Sequence, residues 1–242
     1  MLSKKEIKDI QSLSQKKYRE GLKLFPAEGP KIISELMELI PEQIIKVYAI
    51  HDWISHHSEE ARRFPTIEVS GIELQKLSQL QTAHEVVAIV KQFETEEPIA
   101  DSFVLYLDTI QDPGNFGTII RIADWFGIRN IVCNHGCADL YNSKVIQASM
   151  GSIARVKIYY DEKEEWLKKQ SLPVYAASLH GESLYQHQKT DSGILIIGNE
   201  SRGISKELME MATDKITIPK KGGAESLNAA VATGILLSHL LN

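Results

Sequence analysis

The segment FVLYLDTIQDPGNFGTIIRIADWFGIRNIVCN, residues 103–134, reads as a strand, a turn, a helix and a second strand. Its apolar runs FVLYLD (103–108) and NIVCN (130–134) flank a helix-like stretch at about 116–126. A strand–helix–strand unit of this kind joins parallel strands, because a tight hairpin cannot. The alternation continues downstream. ARVKIYY (154–160), PVYAASL (173–179), GILIIGN (193–199) and KITIP (215–219) read as strands, with helical stretches at about 143–150, 161–170, 204–213 and 226–241. Short apolar strands alternating with helices predict an α/β fold whose mostly parallel sheet is covered on both faces.

Upstream, the acidic, proline-containing stretch ETEEPIAD (94–101) separates two apolar runs and reads as a linker. It predicts two domains, a smaller one at 1–97 and a larger one at 98–242. The smaller domain carries a helical pattern, PKIISELMELI (30–40), and two strand-like runs, IIKVYAI (44–50) and VVAIVKQ (86–92). That makes it an α/β sandwich in its own right. His51, His56 and His57 share one stretch there, but no cysteine or carboxylate set accompanies them at metal spacing. They read as part of a surface helix or loop, and no metal is expected.

Composition narrows the class. With 43% hydrophobic and 24% charged residues the chain is neither disordered nor fibrous, and Cys133 and Cys137 form no disulfide framework. No run approaches the roughly 18 to 20 apolar residues of a membrane span. The opening MLSKKEIKDIQSLSQKK lacks the apolar segment of a signal peptide, so a cytoplasmic protein is expected. The net charge of −5 argues on average against a nucleic-acid partner, yet residues 1–31 carry +4 and the rest −9. A basic segment of this kind reads either as a contact for a polyanion or as a solvated helix of mixed charge.

In a parallel α/β sheet, ligands bind beyond the carboxyl ends of the strands. The first such loop holds Asp112-Pro113-Gly114-Asn115-Phe116-Gly117 where a dinucleotide fold would hold G-x-G-x-x-G, and the second strand ends in Asn134, not an acid. A phosphate loop of the G-x-x-x-x-G-K-[ST] type is also missing. On the following helix, Ile119, Ile122, Ala123 and Phe126 share the face expected to be buried, while Arg121 and Trp125 project outward together. That pair can grip a phosphate or stack on a base, or the guanidinium can simply lie over the indole. Asn115 can serve a site or shape the turn.

The second loop, GILIIGNESRGIS (193–205), places Glu200 between Gly198 and Gly203, which permit close backbone approach to a ligand. Ser201 and Ser205 are alternative helix caps. The third, KITIPKKGGAESLNAAVATGILLSHLLN (215–242), offers Ser226 as an N-cap and then a helix apolar around its whole circumference. Such a helix must be covered on all sides and is too short to cross a bilayer, so it predicts packing on the sheet and on a second subunit. A homodimer follows.

Taken together, the three loops resemble the motif set of the SpoU/TrmH family of RNA 2′-O-ribose methyltransferases, within the SPOUT superfamily. DPGNFGTIIRIADWFG matches the first motif through Asn115 and Arg121, and LIIGNESRGIS the second through Gly198, Glu200 and Gly203. ESLNAAVATGILL matches the third, with Ala229 where the family usually has Val; Lys220 likewise stands in place of the common Met. The match runs over about 103–242. KYREGLKLFPAEGPKIISEL resembles, more loosely, the family's ribosomal-protein-like substrate-binding domain.

The resemblance implies a C-terminal sheet threaded as a trefoil knot, and S-adenosylmethionine held in the knot loops by Gly198, Ile218 and Leu227. It also implies an obligate homodimer with its active site at the subunit interface, acting on structured RNA, ribosomal or transfer. Arg121 is then the residue nearest the ribose 2′-hydroxyl, acting through the adjacent phosphate because a free guanidinium is a very weak base. Asn115 and Asn228 orient groups by hydrogen bonds, Glu200 holds Arg121 or a neighbour, and Ser226 anchors the third loop. The alternative is a chain that keeps the fold and binds RNA without catalysis. The separate N-terminal domain favours ribosomal RNA.

Overall fold

A computed structural model describes residues 2–242, which divide into two compact units. One contains the residues up to Glu94 together with Asp139–Ala154; the other contains Thr95–Ala138 and Arg155–Asn242.

The first unit begins with helices α1 (Lys4–Ser12) and α2 (Lys16–Leu22), followed by β1 (Leu24–Glu28) and α3 (Pro30–Leu39). Then come β2 (Ile44–Ala49), α4 (His51–His56), α5 (Ser58–Arg63), β3 (Thr66–Glu68), α6 (Gly71–Leu77) and β4 (Val86–Lys91). The four strands lie in the order β1-β4-β2-β3, with β4 antiparallel to both its neighbours and β3 parallel to β2. The sequence reading overlooked β1 because it contains Pro26. An edge strand tolerates a proline, whose missing N–H costs nothing on the unpaired side. α1 starts at Ser3, whose hydroxyl accepts the Glu6 N–H, and α6 starts at a Ser70/Glu73 capping box. Leu13, Tyr48, Leu74, Leu77 and Val87 form part of the core between helices and sheet.

The second unit is built on β5 (Phe103–Asp108), α7 (Pro113–Trp125) and β6 (Asn130–Asn134). α8 (Ser143–Ser149) follows in the chain, then β7 (Lys157–Asp161), β8 (Val174–Ser183), β9 (Gly193–Gly198), α9 (Lys206–Met211), β10 (Asp214–Thr217) and α10 (Ala229–Leu241). The six strands are all parallel, in the order β10-β8-β9-β5-β6-β7. β5 and β9 run through the middle and are buried on both faces, as their unbroken apolar sequences require.

Several boundaries differ from the sequence reading. The stretch 161–170 is no helix beyond a single turn at Leu167–Lys169, because the Asp161 carboxylate captures the N–H groups of Glu165 and Trp166. α7 starts earlier than 116. Asp112 caps it through the Asn115 N–H, and Pro113 takes the first helical position, where its missing donor is harmless. Its buried face is Phe116, Ile119, Ile120 and Ala123, whereas Ile122 and Phe126 are only half-buried. Ile122 turns instead toward α10, close to Gly234. Asp139–Ala154, inside the range read as the second domain, packs in the first unit. There α8 lies against β1, Gln147 Nε2 donates to the Glu28 carbonyl at 2.9 Å, and the Tyr141 ring meets Phe25 at 4.7 Å. No helix among the described residues is long and apolar enough to cross a membrane.

Candidate active site

Three loops of the second unit converge at the carboxyl ends of β5 and β9 and at the start of α10. The first turn of α7 carries Asn115, whose backbone N–H is satisfied by Asp112, so its side chain is free to point outward. Its Nδ2 donates to Glu200 Oε1 at 2.5 Å, and its Oδ1 accepts from Asn228 Nδ2 at 2.7 Å. One amide thus joins residues from all three loops, using both its donor and its acceptor. Asn228 is fixed for this role by its own backbone work. It is the N-cap of α10, its Oδ1 accepting the N–H groups of Ala230 and Val231.

That assignment corrects the reading of Ser226 as the cap. Ser226 lies two residues before it, exposed, in the wall of a cavity of about 640 Å³. The same wall includes Gly198, Glu200, Ile218 and Leu227. Glu200 is therefore bonded to Asn115, and Arg121 stands apart. Arg121 is exposed on α7, does not line the cavity, and has no hydrogen-bond or ion-pair partner among the described residues. Nor is its guanidinium stacked on Trp125, which is 85% exposed.

Gly198 has a more demanding role than ligand access alone. A β-carbon there would lie 2.4 Å from the Gly203 carbonyl carbon, so only glycine lets the 199–203 loop fold back on the strand end. The loop closes by paired Asn199–Gly203 backbone hydrogen bonds, and Gly203 takes a φ of +70°. Apolar side chains such as Ile197, Ile204 and Ile216 line the cavity beside loop backbone and the Glu200 carboxylate. Charged side chains, among them Arg202, Lys220 and Lys221, complete the wall, and a volume of this size with a partly apolar lining suits a ligand of nucleoside size. The sequence reading missed Leu179, His180 and Asn199 in this wall, and also Asp108 and Asn134, bonded to each other at the ends of β5 and β6. The available signal was an acid ending a fully buried strand.

The sequence profile of the SpoU rRNA Methylase family matches residues 102–238, a span that contains every one of these residues. The chain belongs to the SpoU rRNA methylase family. A second profile, the MRM3-like substrate binding domain, matches residues 4–88. Among curated SpoU relatives, the 23S rRNA (guanosine(2553)-2′-O)-methyltransferase RlmP of Bacillus subtilis is 31% identical, the alignment covering 97% of this chain and 95% of RlmP. Among solved structures, a TrmH-family protein of Porphyromonas gingivalis superposes with a TM-score of 0.86 at 36% identity, over 100% of this chain and 98% of that one. An AdoMet-bound rRNA methyltransferase of Sinorhizobium meliloti gives the same TM-score at 29% identity, covering 99% and 95%.

Proposed function

We propose that this SpoU chain transfers a methyl group from S-adenosylmethionine to a ribose 2′-hydroxyl of ribosomal RNA. The observation that carries the reading is the Asn115 amide joining Glu200 and Asn228 at the edge of a cavity walled by Gly198, Ile218 and Leu227. These three residues would hold the cofactor, largely through backbone groups and apolar contact. Bound there, S-adenosylmethionine supplies an electrophilic methyl on a sulfonium.

The chain's own residues supply position and charge. A neutral hydroxyl is a weak nucleophile, so its proton must leave as the new C–O bond forms. Arg121, always protonated, acts by holding the phosphate next to the reacting ribose, which sets the hydroxyl in line with the methyl group, and the proton is released to solvent water. Asn115, Asn228 and Glu200 form a fixed polar edge that orients the ribose, and Ser226, exposed in the cavity wall, would anchor the third loop once ligand is bound. Orientation of this kind supplies much of the rate in an in-line transfer. An RNA-binding chain without catalysis finds no support in a sequence that keeps Asn115, Arg121, Glu200, Ser226 and Asn228.

We extend the proposal to a homodimer. An open apolar groove lined by Ile122, Tyr185, Val231 and Ile235 runs between α7 and α10, with Trp125 exposed on α7. A second copy would cover it, and would bring Arg121 to a cavity that one chain leaves without it. The segment after β9 is proposed to thread a trefoil knot. What supports this is the membership of the family whose motif set the three loops carry. The 1–97 region is proposed to bind RNA, in keeping with its matched profile.

The test is methyl transfer from labelled cofactor to large-subunit ribosomal RNA, with 2′-O-methyl mapping in cells with and without the gene. One ribose position that loses its methyl group with the gene supports the reading. Unchanged maps of both ribosomal and transfer RNA, with no transfer in vitro, would sink it.

A further inference from the structure

The carboxyl end of β5 holds a second set of polar groups, behind the site. Asp108 is buried at the last position of β5, and the next residue, Thr109, has a φ of +59°. A β-branched residue in the left-handed region is a steric outlier, because its branched side chain crowds its own backbone. Strain of this kind persists only where neighbours over-determine it, and it concentrates at working sites.

Every polar atom of Thr109 is held. Its N–H donates to Asn134 Oδ1 at 2.9 Å, and its carbonyl accepts from Asn199 Nδ2 at 2.8 Å. Its hydroxyl donates to Asp108 Oδ1 at 2.9 Å and accepts from Asn134 Nδ2 at 3.1 Å. Asp108 in turn accepts from Asn134 Nδ2 at 2.7 Å and, through its other oxygen, from the Ser205 N–H at 2.6 Å. Asn199 reaches the opposite way, its Oδ1 accepting the N–H groups of Ser201 and Arg202.

These bonds link the ends of β5, β6 and β9. They also set the two loops that must meet. The 109–115 loop leaves Thr109 and delivers Asn115; the 199–205 loop, pinned at Asn199 and Ser205, delivers Glu200. We propose that Asp108, Thr109 and Asn134 are positioning residues for the transfer reaction. They act through the left-handed Thr109 and Asn199, fixing the two loops in the register at which Asn115 bonds Glu200. None of the three lines the cavity. The proposal rests on the methyltransferase reading and adds to it residues outside the three matched motif positions.

The test compares Thr109→Gly with Thr109→Ser in the full-length chain. Glycine accepts the positive φ without strain, so the variant folds, but it loses the hydroxyl that fastens the loop to Asp108. Serine keeps the hydroxyl. For Thr109→Gly the expected result is a kcat lowered at least tenfold and S-adenosylmethionine binding weakened about fivefold in calorimetry. Its RNA dissociation constant should stay within about threefold of wild type. Thr109→Ser should stay within about threefold of wild type in all of these. A purely structural role would shift the thermal midpoint and leave kcat per folded molecule unchanged. An active wild type beside a Thr109→Gly variant of full kcat and cofactor affinity overturns this proposal alone, as does Thr109→Ser failing as badly as Thr109→Gly. A wild type that neither binds cofactor nor methylates RNA overturns the functional reading, and this proposal with it.

Discussion

At the scale of single residues, the site depends on an amide used at both ends. Replacing Asn115 by Asp turns its donor into a second carboxylate facing Glu200 Oε1 across 2.5 Å. Like charges that close raise the proton affinity of one of the pair. Asn115→Asp should therefore lose about 100-fold in kcat at pH 8, roughly 2.7 kcal/mol of transition-state stabilisation, and recover part of it as pH falls. The kcat–pH profile reads this directly, and a flat profile at wild-type rate would remove the contact from catalysis. Arg121 makes the opposite case, since it supports nothing in the single chain. Arg121→Ala should abolish methylation while the thermal midpoint and the proposed dimer persist. Turnover at the wild-type rate would take the residue out of the mechanism.

At the scale of elements, α10 shows how an all-round apolar helix is disposed of. Ala230, Thr233, Leu236, Leu237 and Leu240 are buried, while Val231 and Ile235 remain 51% and 37% exposed on one stripe. Changing both to Glu leaves the buried face intact and charges the groove. If the proposed dimer forms through this groove, sedimentation should show the wild type as a dimer and this variant as a monomer at the same micromolar concentration. In the first unit, α6 is tied by Glu73, whose carboxylate accepts the N–H groups of Leu2 and Ser70 and the Ser70 hydroxyl. Those bonds depress its pKa from 4.5 to about 2. A carboxylate depressed on folding contributes stability that is complete above its unfolded pKa and is lost as pH falls through the folded one. The stability difference between wild type and Glu73→Gln should thus hold at neutral pH and shrink between pH 4.5 and 2. Melting curves across that range test it.

At the scale of the whole molecule, two quantities stand out, the charge and the division into units. Of the basic residues in 1–31, Arg19 is withdrawn, since it is buried and paired with Asp139. With a net charge of −5 overall, RNA contact should fall on a few local cations. A log–log salt dependence of affinity shallower than about −7, the slope for roughly ten single-strand phosphates, is expected. The division into units makes the second prediction. Val145 and Ile146 of α8 are buried, and Tyr141 packs on Phe25, within the first unit. A fragment beginning at Thr95 would expose them. It should bind a hydrophobic dye and aggregate where the full chain does not, by fluorescence and light scattering.

The parallel sheet is legible along the chain, since buried strands such as Phe103–Asp108 and Gly193–Gly198 are written as unbroken apolar runs between helical periods. The residues to watch are legible there too, because Asn115, Glu200 and Asn228 stand in recognisable motifs. Tertiary structure alone decided their partners. Asn115 meets residues 85 and 113 positions away, and no local pattern encodes such a contact. It also reassigned the cap of α10 from Ser226 to Asn228 and set a proline within an edge strand. It placed Asp139–Ala154 with the other unit and exposed the strain at Thr109. Periodicity and chemical type are local and can be read along the chain. Which polar group satisfies which depends on distances fixed only when the strands come to lie side by side.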